Sequence, residues 1–353
     1  MCIARAFSII LVYNDLTGGT FMREGTYERT PIWGDVIPGN STRSKLEDMT
    51  IDFDADPQKN QIKFALLIGK YLGNVFFDCK KAIDTATWCN CMEPGYCEQT
   101  YTDVPGIVPF LCEGSDRAVI LIPGGGYAFT GDLTAKDQEE TDKLARRLNE
   151  RGISAFCLDY RYNPYRFPIP LLDVQRAIRF IRFHAEEYGL APKKIAPMGG
   201  SAGGYQVAGF LNLLQGTNRF PVGYEPDEVD AVDDAVCNGG MFYPAVTLKH
   251  NKGILYATFP EEAFKTWKRR RETLDRTDLP SHIIDTKTPQ FIAHGTKDML
   301  VTHKTSRQYV KAMEAAGAPI HYVEVEGANH IFTNKPEYNW VFEEYLTWLD
   351  EHF

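Results

Sequence analysis

The residues best placed to do chemistry are a serine between glycines, a glycine triplet upstream of it, and an aspartate and a histidine far downstream. Gly199-x-Ser201-x-Gly203 follows a short apolar run, Ile195 to Met198, and precedes a helix-compatible stretch, Tyr205 to Leu214. A serine on a sharp strand-to-helix turn needs small neighbours, because the turn is strained and a side chain beside it would clash. The same turn aims the hydroxyl outward and puts the next amide, that of Ala202, at a helix N-terminus. Upstream, Pro123-Gly124-Gly125-Gly126-Tyr127 ends another apolar run. A glycine-rich loop at a strand end exposes N–H groups that can hold an oxyanion. Gly125, Gly126 and Ala202 are the candidate donors. The triplet lacks G-x-G-x-x-G spacing and no G-K-[ST] follows, which argues against a phosphate loop.

A serine hydroxyl is a weak nucleophile at neutral pH and needs a base oriented by a third group. The chain order expected on a strand–turn–helix elbow is Ser, then Asp or Glu, then His. His294-Gly-Thr-Lys-Asp298 leaves one strand and Gly327-Ala-Asn-His330 leaves the last one. Ser201, Asp298 and His330 are therefore the expected catalytic set. Other histidines fit less well: His184 lies on a polar helix side, His250 and His282 in an irregular stretch, His303 at a helix start and His321 in a strand. His294 is the close rival, and its ordinary role is packing at a strand end. Asp285 and Glu326 are the less well placed acids. None of these residues requires a metal or cofactor.

These groups need a scaffold, and the sequence describes one. From about Arg117, strand-like runs alternate with amphipathic helices, the pattern of a parallel sheet covered on both faces. The expected strands are Ala118 to Ile122, Ile153 to Leu158, Ile195 to Met198, Ala235 to Phe242, Gln290 to His294 and His321 to Glu326. The expected helices run from Leu171 to Tyr188, Tyr205 to Leu214, Ser306 to Ala316 and Val341 to Leu349. Residues 57–99 and 245–288 interrupt the alternation and read as insertions. The first, with Phe64 to Phe77 apolar and aromatic, is either core packing or a lid over a pocket. The chain has 353 residues, 44% of them hydrophobic, and a formal charge of −9. That balance argues against nucleic acid as a partner, and Lys268 to Arg271 reads as a solvated helix face. No apolar run is long enough for a membrane span.

The first residues resemble a weak signal sequence without a clear cleavage site, so a cytoplasmic chain with a ragged N-terminus, or one whose functional start is Met22, is expected, with export as the alternative. Cys89, Cys91 and Cys97 lack the spacing of a zinc site. A disulfide among Cys79, Cys89, Cys91, Cys97 and Cys112 is open if the chain is exported. Cys157 and Cys237 read as small core residues in strands.

From about Thr30 to Phe353, excluding residues 57–99, the chain resembles the α/β-hydrolase superfamily. Within it, it is similar to the bacterial acetyl esterase/acetylxylan esterase-like branch related to hormone-sensitive lipase. The match is carried by Pro31-Ile-Trp-Gly-Asp35, Pro123-Gly-Gly-Gly-Tyr127, Ala155 to Tyr162 and Pro168-x-Pro170-Leu-Leu-Asp-x-Gln-Arg-Ala-Ile178. It continues through Met198-Gly-Gly-Ser-Ala-Gly-Gly204, Tyr243-Pro244, His294-Gly-x-x-Asp298 and Gly327-x-x-His330. The resemblance implies an α/β-hydrolase fold for residues 30–353, after an N-terminal extension of residues 1–29. It also implies a serine carboxylester hydrolase acting on small esters or acylated carbohydrate, with short acyl groups favoured. Tyr127 and Phe129 are expected to border the acyl side of the pocket. The chain departs from the branch twice. Gly200 replaces an aromatic or apolar residue, which should leave the elbow less crowded. Pro123 replaces a histidine, so the pair among Gly125, Gly126 and Tyr127 that supplies the oxyanion amides stays open. The rival readings are a prolyl-oligopeptidase-like peptidase, for which roughly 100 residues ahead of the glycine loop leave no room for a propeller, and a non-catalytic binding protein on the same fold.

Overall fold

Apolar side chains on both sides of a strand require cover on both faces, and β3 (Ala118–Ile122), buried at all five positions, sets that condition at the centre of the molecule. The structure, a computed structural model, describes residues 29–40, 104–127, 135–162, 165–250, 255 and 258–353. Besides β3, the sheet contains β1 (Thr30–Pro31), β2 (Gly106–Phe110), β4 (Ser154–Asp159), β5 (Ile195–Gly200), β6 (Gly239–Phe242), β7 (Gln290–Gly295) and β8 (Ile320–Val325). Their spatial order is β1-β2-β4-β3-β5-β6-β7-β8. The β1–β2 and β2–β4 pairs are antiparallel, and every pair from β4 onward is parallel. The fold is that of an α/β-hydrolase.

The longer helices are α1 (Ala135–Glu150), α2 (Ile169–Phe183), α3 (Ala202–Gly209), α4 (Trp267–Arg276), α5 (Lys304–Ala315) and α6 (Asn339–His352). Strand alternation sorts the core between them. Val119 and Leu121 of β3 join Ala145 and Leu148 of α1 and Val341, Phe342, Tyr345 and Leu349 of α6. Ala118, Ile120 and Ile122 join Leu171, Val174 and Ile178 of α2, Tyr205 and Ala208 of α3, and Tyr309 and Met313 of α5.

The expected strands and helices are present, with informative differences at their ends. The strand expected from Ala235 begins only at Gly239. Before it, Arg182 takes the carbonyls of Asp233 and Ala235, and Asp234 accepts from Gln175 at 2.6 Å and Arg179 at 3.0 Å. Arg182 has thus claimed two carbonyls that a ladder would use, and Cys237 precedes the strand. The helix expected to Leu214 ends as α3 at Gly209 and widens into a turn in which Gln215 N–H donates to Phe210 O at 2.8 Å. Strands β1 and β2 were not expected. Pro109 sits in β2 at a position beyond the two residues that β1 pairs, so its missing N–H costs no ladder bond.

The 245–288 stretch packs beside the sheet. Val246, Leu248, Phe264 and Leu279 enter the α2–α3 core, and Tyr205 donates to Thr277 O at 3.0 Å. The 57–99 insertion, its lid reading and the cysteines at 79, 89, 91 and 97 lie outside the described residues. Cys112, Cys157 and Cys237 are free thiols. Among the described residues no helix is long and apolar enough to cross a membrane.

One buried ion pair ties the N-terminal segment to the sheet. Arg161 and Asp173 are both fully buried and meet at 2.7 Å. Asp173 also accepts from the Trp33 indole at 2.8 Å and from Arg161 N–H at 2.9 Å. Arg161 donates further to Pro38 O at 2.6 Å and Asn40 Oδ1 at 2.8 Å. Removing one member of such a pair leaves the other charge stranded. Asp173→Ala is therefore expected to lower stability by about 3–5 kcal/mol, read as a shift of the urea unfolding midpoint.

Candidate active site

The serine turn is built from backbones that touch. A Cβ at Gly199 would lie 2.4 Å from the Gly203 carbonyl, and a Cβ at Gly203 would lie 2.1 Å from Ile122 O of β3. Glycine at both positions lets β5, α3 and β3 close on one another. Between them Ser201 has φ 54° and ψ −116°, a conformation that a non-glycine residue adopts only when its surroundings impose it. Its N–H donates to Phe242 O at 2.9 Å, and its carbonyl accepts from Tyr205 at 3.1 Å and Ala245 at 3.2 Å. Ala202 is the first residue of α3, so its N–H is one of the amides that helix geometry leaves without an intrahelical acceptor.

The glycine loop lies against this turn. A Cβ at Gly124 would be 3.1 Å from Gly200 O and 3.2 Å from Ser201 Cβ. Gly125, Gly126 and Tyr127 follow with positive φ values of 112°, 63° and 60°. The Tyr160 hydroxyl pins the loop by donating to Pro123 O at 2.9 Å. Tyr127 does not border a pocket as expected. Its ring is 2% exposed and packs edge-on to Tyr160 and Tyr205, in the core under the loop. Phe129 lies outside the described residues.

Asp298 and His330, the candidate acid and base, arrive on loops after β7 and β8, at the same sheet edge as Ser201 and the glycine loop, where α/β sheets place their ligands. His330 Nε2 is 3.0 Å from Ser201 Oγ, and its Nδ1 is 2.6 Å from Asp298 Oδ2. The two loops are laced together. Asn329 Oδ1 accepts from Met299 N–H at 3.1 Å and His330 N–H at 2.8 Å. Thr296 Oγ1 accepts from Gly327 N–H at 2.8 Å. Burial would raise the Asp298 carboxyl, but hydrogen bonds from His294, His330 and the Val301 amide outweigh it and hold the group well below the usual carboxylate range. It stays ionised wherever the imidazole can act as a base.

Two contributors were not assigned a role from sequence. The Tyr243 ring lies 4.7 Å from the His330 ring, with its hydroxyl 3.0 Å from Thr333 Oγ1. It also fills the space opposite Gly200, where a Cβ would meet the ring at 3.0 Å. The elbow is therefore not less crowded for having Gly200; the tyrosine occupies the room. The other contributor is His294, buried beside Asp298. Among the rivals, His184 pairs with Glu187 at 3.0 Å, His321 with Glu344 at 2.9 Å, and His303 precedes α5.

The BD-FAE family matches residues 109–313, more than half of the chain and a span that includes the glycine loop, Ser201 and Asp298. The chain belongs to the BD-FAE family. This BD-FAE protein is 27% identical over 223 residues to a probable carboxylic ester hydrolase, LipM, of Mycobacterium tuberculosis, covering 62% of this chain and 50% of the relative. It is also 27% identical over 218 residues to an acetylxylan esterase of Xylanibacter ruminicola, covering 60% and 40%. It thus spans about half the length, or less, of these relatives. Among solved structures, an acetyl ester-xyloside bifunctional hydrolase from Caldicellulosiruptor lactoaceticus shares its fold, with a TM-score of 0.57 at 24% identity over 73% of this chain and 91% of that one.

The close backbone approach and the Tyr243 contact separate in two variants. Gly200→Ala is expected to fold, displace the Tyr243 ring and slow labelling of Ser201 by a phosphonate reagent several-fold. Gly203→Ala is expected to give no cooperatively folded protein. Thermal unfolding and labelling rates read both.

Proposed function

We propose that this protein is a serine carboxylester hydrolase acting on short-chain acyl esters. The reading is carried by the continuous hydrogen-bonded path from Ser201 Oγ through His330 to Asp298. Ser201 Oγ attacks the ester carbonyl carbon while His330 Nε2 takes the hydroxyl proton. Asp298 holds the proton on Nδ1, keeps Nε2 free to act, and stabilises the imidazolium. The oxyanion is held by the Ala202 amide together with amides of the Gly125–Gly126 loop, each donor typically worth about 3 kcal/mol. Collapse expels the alcohol, which takes the proton from His330. Water then attacks the acyl-serine with His330 again as base, releasing the carboxylic acid and restoring the enzyme.

For substrate, we infer acetyl to butyryl esters, including acetyl groups on carbohydrate fragments. The support is kinship with the acetylxylan esterase of Xylanibacter ruminicola; the core position of Tyr127 removes that ring as an argument. Each methylene that finds no apolar cover forgoes about 0.8 kcal/mol.

Ser201→Ala is expected to keep the wild-type fold and lower p-nitrophenyl acetate turnover by about four orders of magnitude or more. Retention of a few per cent of turnover would sink the nucleophile assignment. Across p-nitrophenyl esters from C2 to C12, kcat/KM should peak at C2–C4, with no release from an aminoacyl-proline nitroanilide. A maximum at C8 or beyond would exclude the short-acyl reading. Turnover should fall on acidification, because a protonated His330 cannot take the serine hydroxyl proton. With Asp298 ionised throughout, that limb should be a single titration, and a rate flat from pH 5 to 8 would argue against a histidine base.

A further inference from the structure

We propose that His294 is a positioning residue for the reaction, a second histidine that fixes the rotation of the Asp298 carboxylate on which His330 depends. The His294 ring is fully buried at the end of β7. Its Nε2 lies 2.9 Å from Val301 O and 3.1 Å from Asp298 Oδ2. A carbonyl and a carboxylate are both acceptors, so Nε2 carries a proton shared between them. Its Nδ1 lies 2.7 Å from Ser306 Oγ on α5. In the neutral ring Nδ1 accepts from that hydroxyl, so Ser306 satisfies the far nitrogen and holds the plane of the ring while Nε2–H faces Asp298.

The carboxylate is enclosed by donors on both oxygens. Oδ1 accepts from the amides of Leu300 at 2.9 Å and Val301 at 2.8 Å. Oδ2 accepts from His330 at 2.6 Å and from His294. The two amides alone allow the group to pivot about its own loop. The donor from His294 opposes that pivot from the strand side, and Val301 O couples the same N–H to the loop carrying the acid. A histidine buried only for packing would also need both nitrogens paired; what sets His294 apart is that one of its acceptors is the carboxylate that His330 depends on.

The inference rests on the esterase reading for its kinetic test, so a second readout stands apart from turnover. His294→Phe keeps the ring volume and removes both nitrogens. It is expected to lower kcat for p-nitrophenyl acetate by about 10–100-fold with KM little changed, the cost expected of a misplaced catalytic group. His294→Gln, which returns an N–H near the position of Nε2, should recover most of that loss. The low-field proton resonance of the His330–Asp298 bond should move or broaden in the phenylalanine variant and return in the glutamine variant. Should His294→Phe fail to fold, Ser306→Ala removes the hydrogen bond that holds the His294 ring in plane, in an intact core, and should lower kcat several-fold at unchanged KM. A phenylalanine variant with wild-type kcat and resonance overturns the proposal. So does a folded glutamine variant as impaired as the phenylalanine one, or a Ser306→Ala variant with wild-type kcat. If the wild type hydrolyses no ester while the resonance still follows residue 294, the esterase reading fails and the positioning role stands.

Discussion

The site depends on three backbones meeting with no side chain between them. The Gly203 position admits no Cβ because Ile122 O would be 2.1 Å away, and Gly199 admits none because the Gly203 carbonyl would be 2.4 Å away. That approach brings the glycine loop after β3 against the serine turn after β5 and starts α3 at the reacting hydroxyl. It also forces Ser201 into a conformation costing about 1–3 kcal/mol, which the bonds to Phe242, Tyr205 and Ala245 hold in place. Those partners lie in β6, in α3 and in the segment after β6, and all three are buried.

The acid–base pair obeys a different logic. Ser201 is positioned by contact between main chains, whereas Asp298 and His330 sit on loops and are positioned by side chains. Asn329 and Thr296 bridge the two loops, Tyr243 supports the imidazole from below, and His294 reaches the carboxylate from the strand. The Arg161–Asp173 pair uses the same device to hold the N-terminal segment: a charge taken out of water with its partners supplied by named neighbours. The motif residues that carried the family resemblance therefore divide into two groups. Trp33, Arg161 and Asp173 hold the frame, and Tyr160, Tyr243 and His294 hold the site.

The central strands and the Ser201, Asp298 and His330 set were legible because each has a local signature: a continuous apolar run, a glycine pair around serine, a polar residue just past a strand end. The antiparallel edge was not, since β1 has two residues and β2 contains a proline that only its sheet position excuses. The late start of β6 was hidden because Arg182, distant in sequence, claims the carbonyls of Asp233 and Ala235. Tyr127 was misplaced for a related reason. Nothing in Gly-Gly-Gly-Tyr states that a residue at φ 60° turns its ring down onto Tyr160 and Tyr205 instead of outward. His294 was seen and set aside, because a histidine four residues before an aspartate is equally consistent with ordinary packing.

Ser201 and His330 are 129 residues apart, and Asp298 lies 32 residues before His330. No fragment that stops short of β8 can bring the three together, and no local helix or hairpin contains more than one of them. Ser201 and His330 meet across a long stretch of chain, the kind of contact that loop-closure entropy makes slow to form. A folding intermediate with its early strands and helices in place would look native in secondary structure and yet have an unreactive serine. The site is in this sense a gauge of completed topology: its reactivity registers only chains whose last strand has joined the sheet.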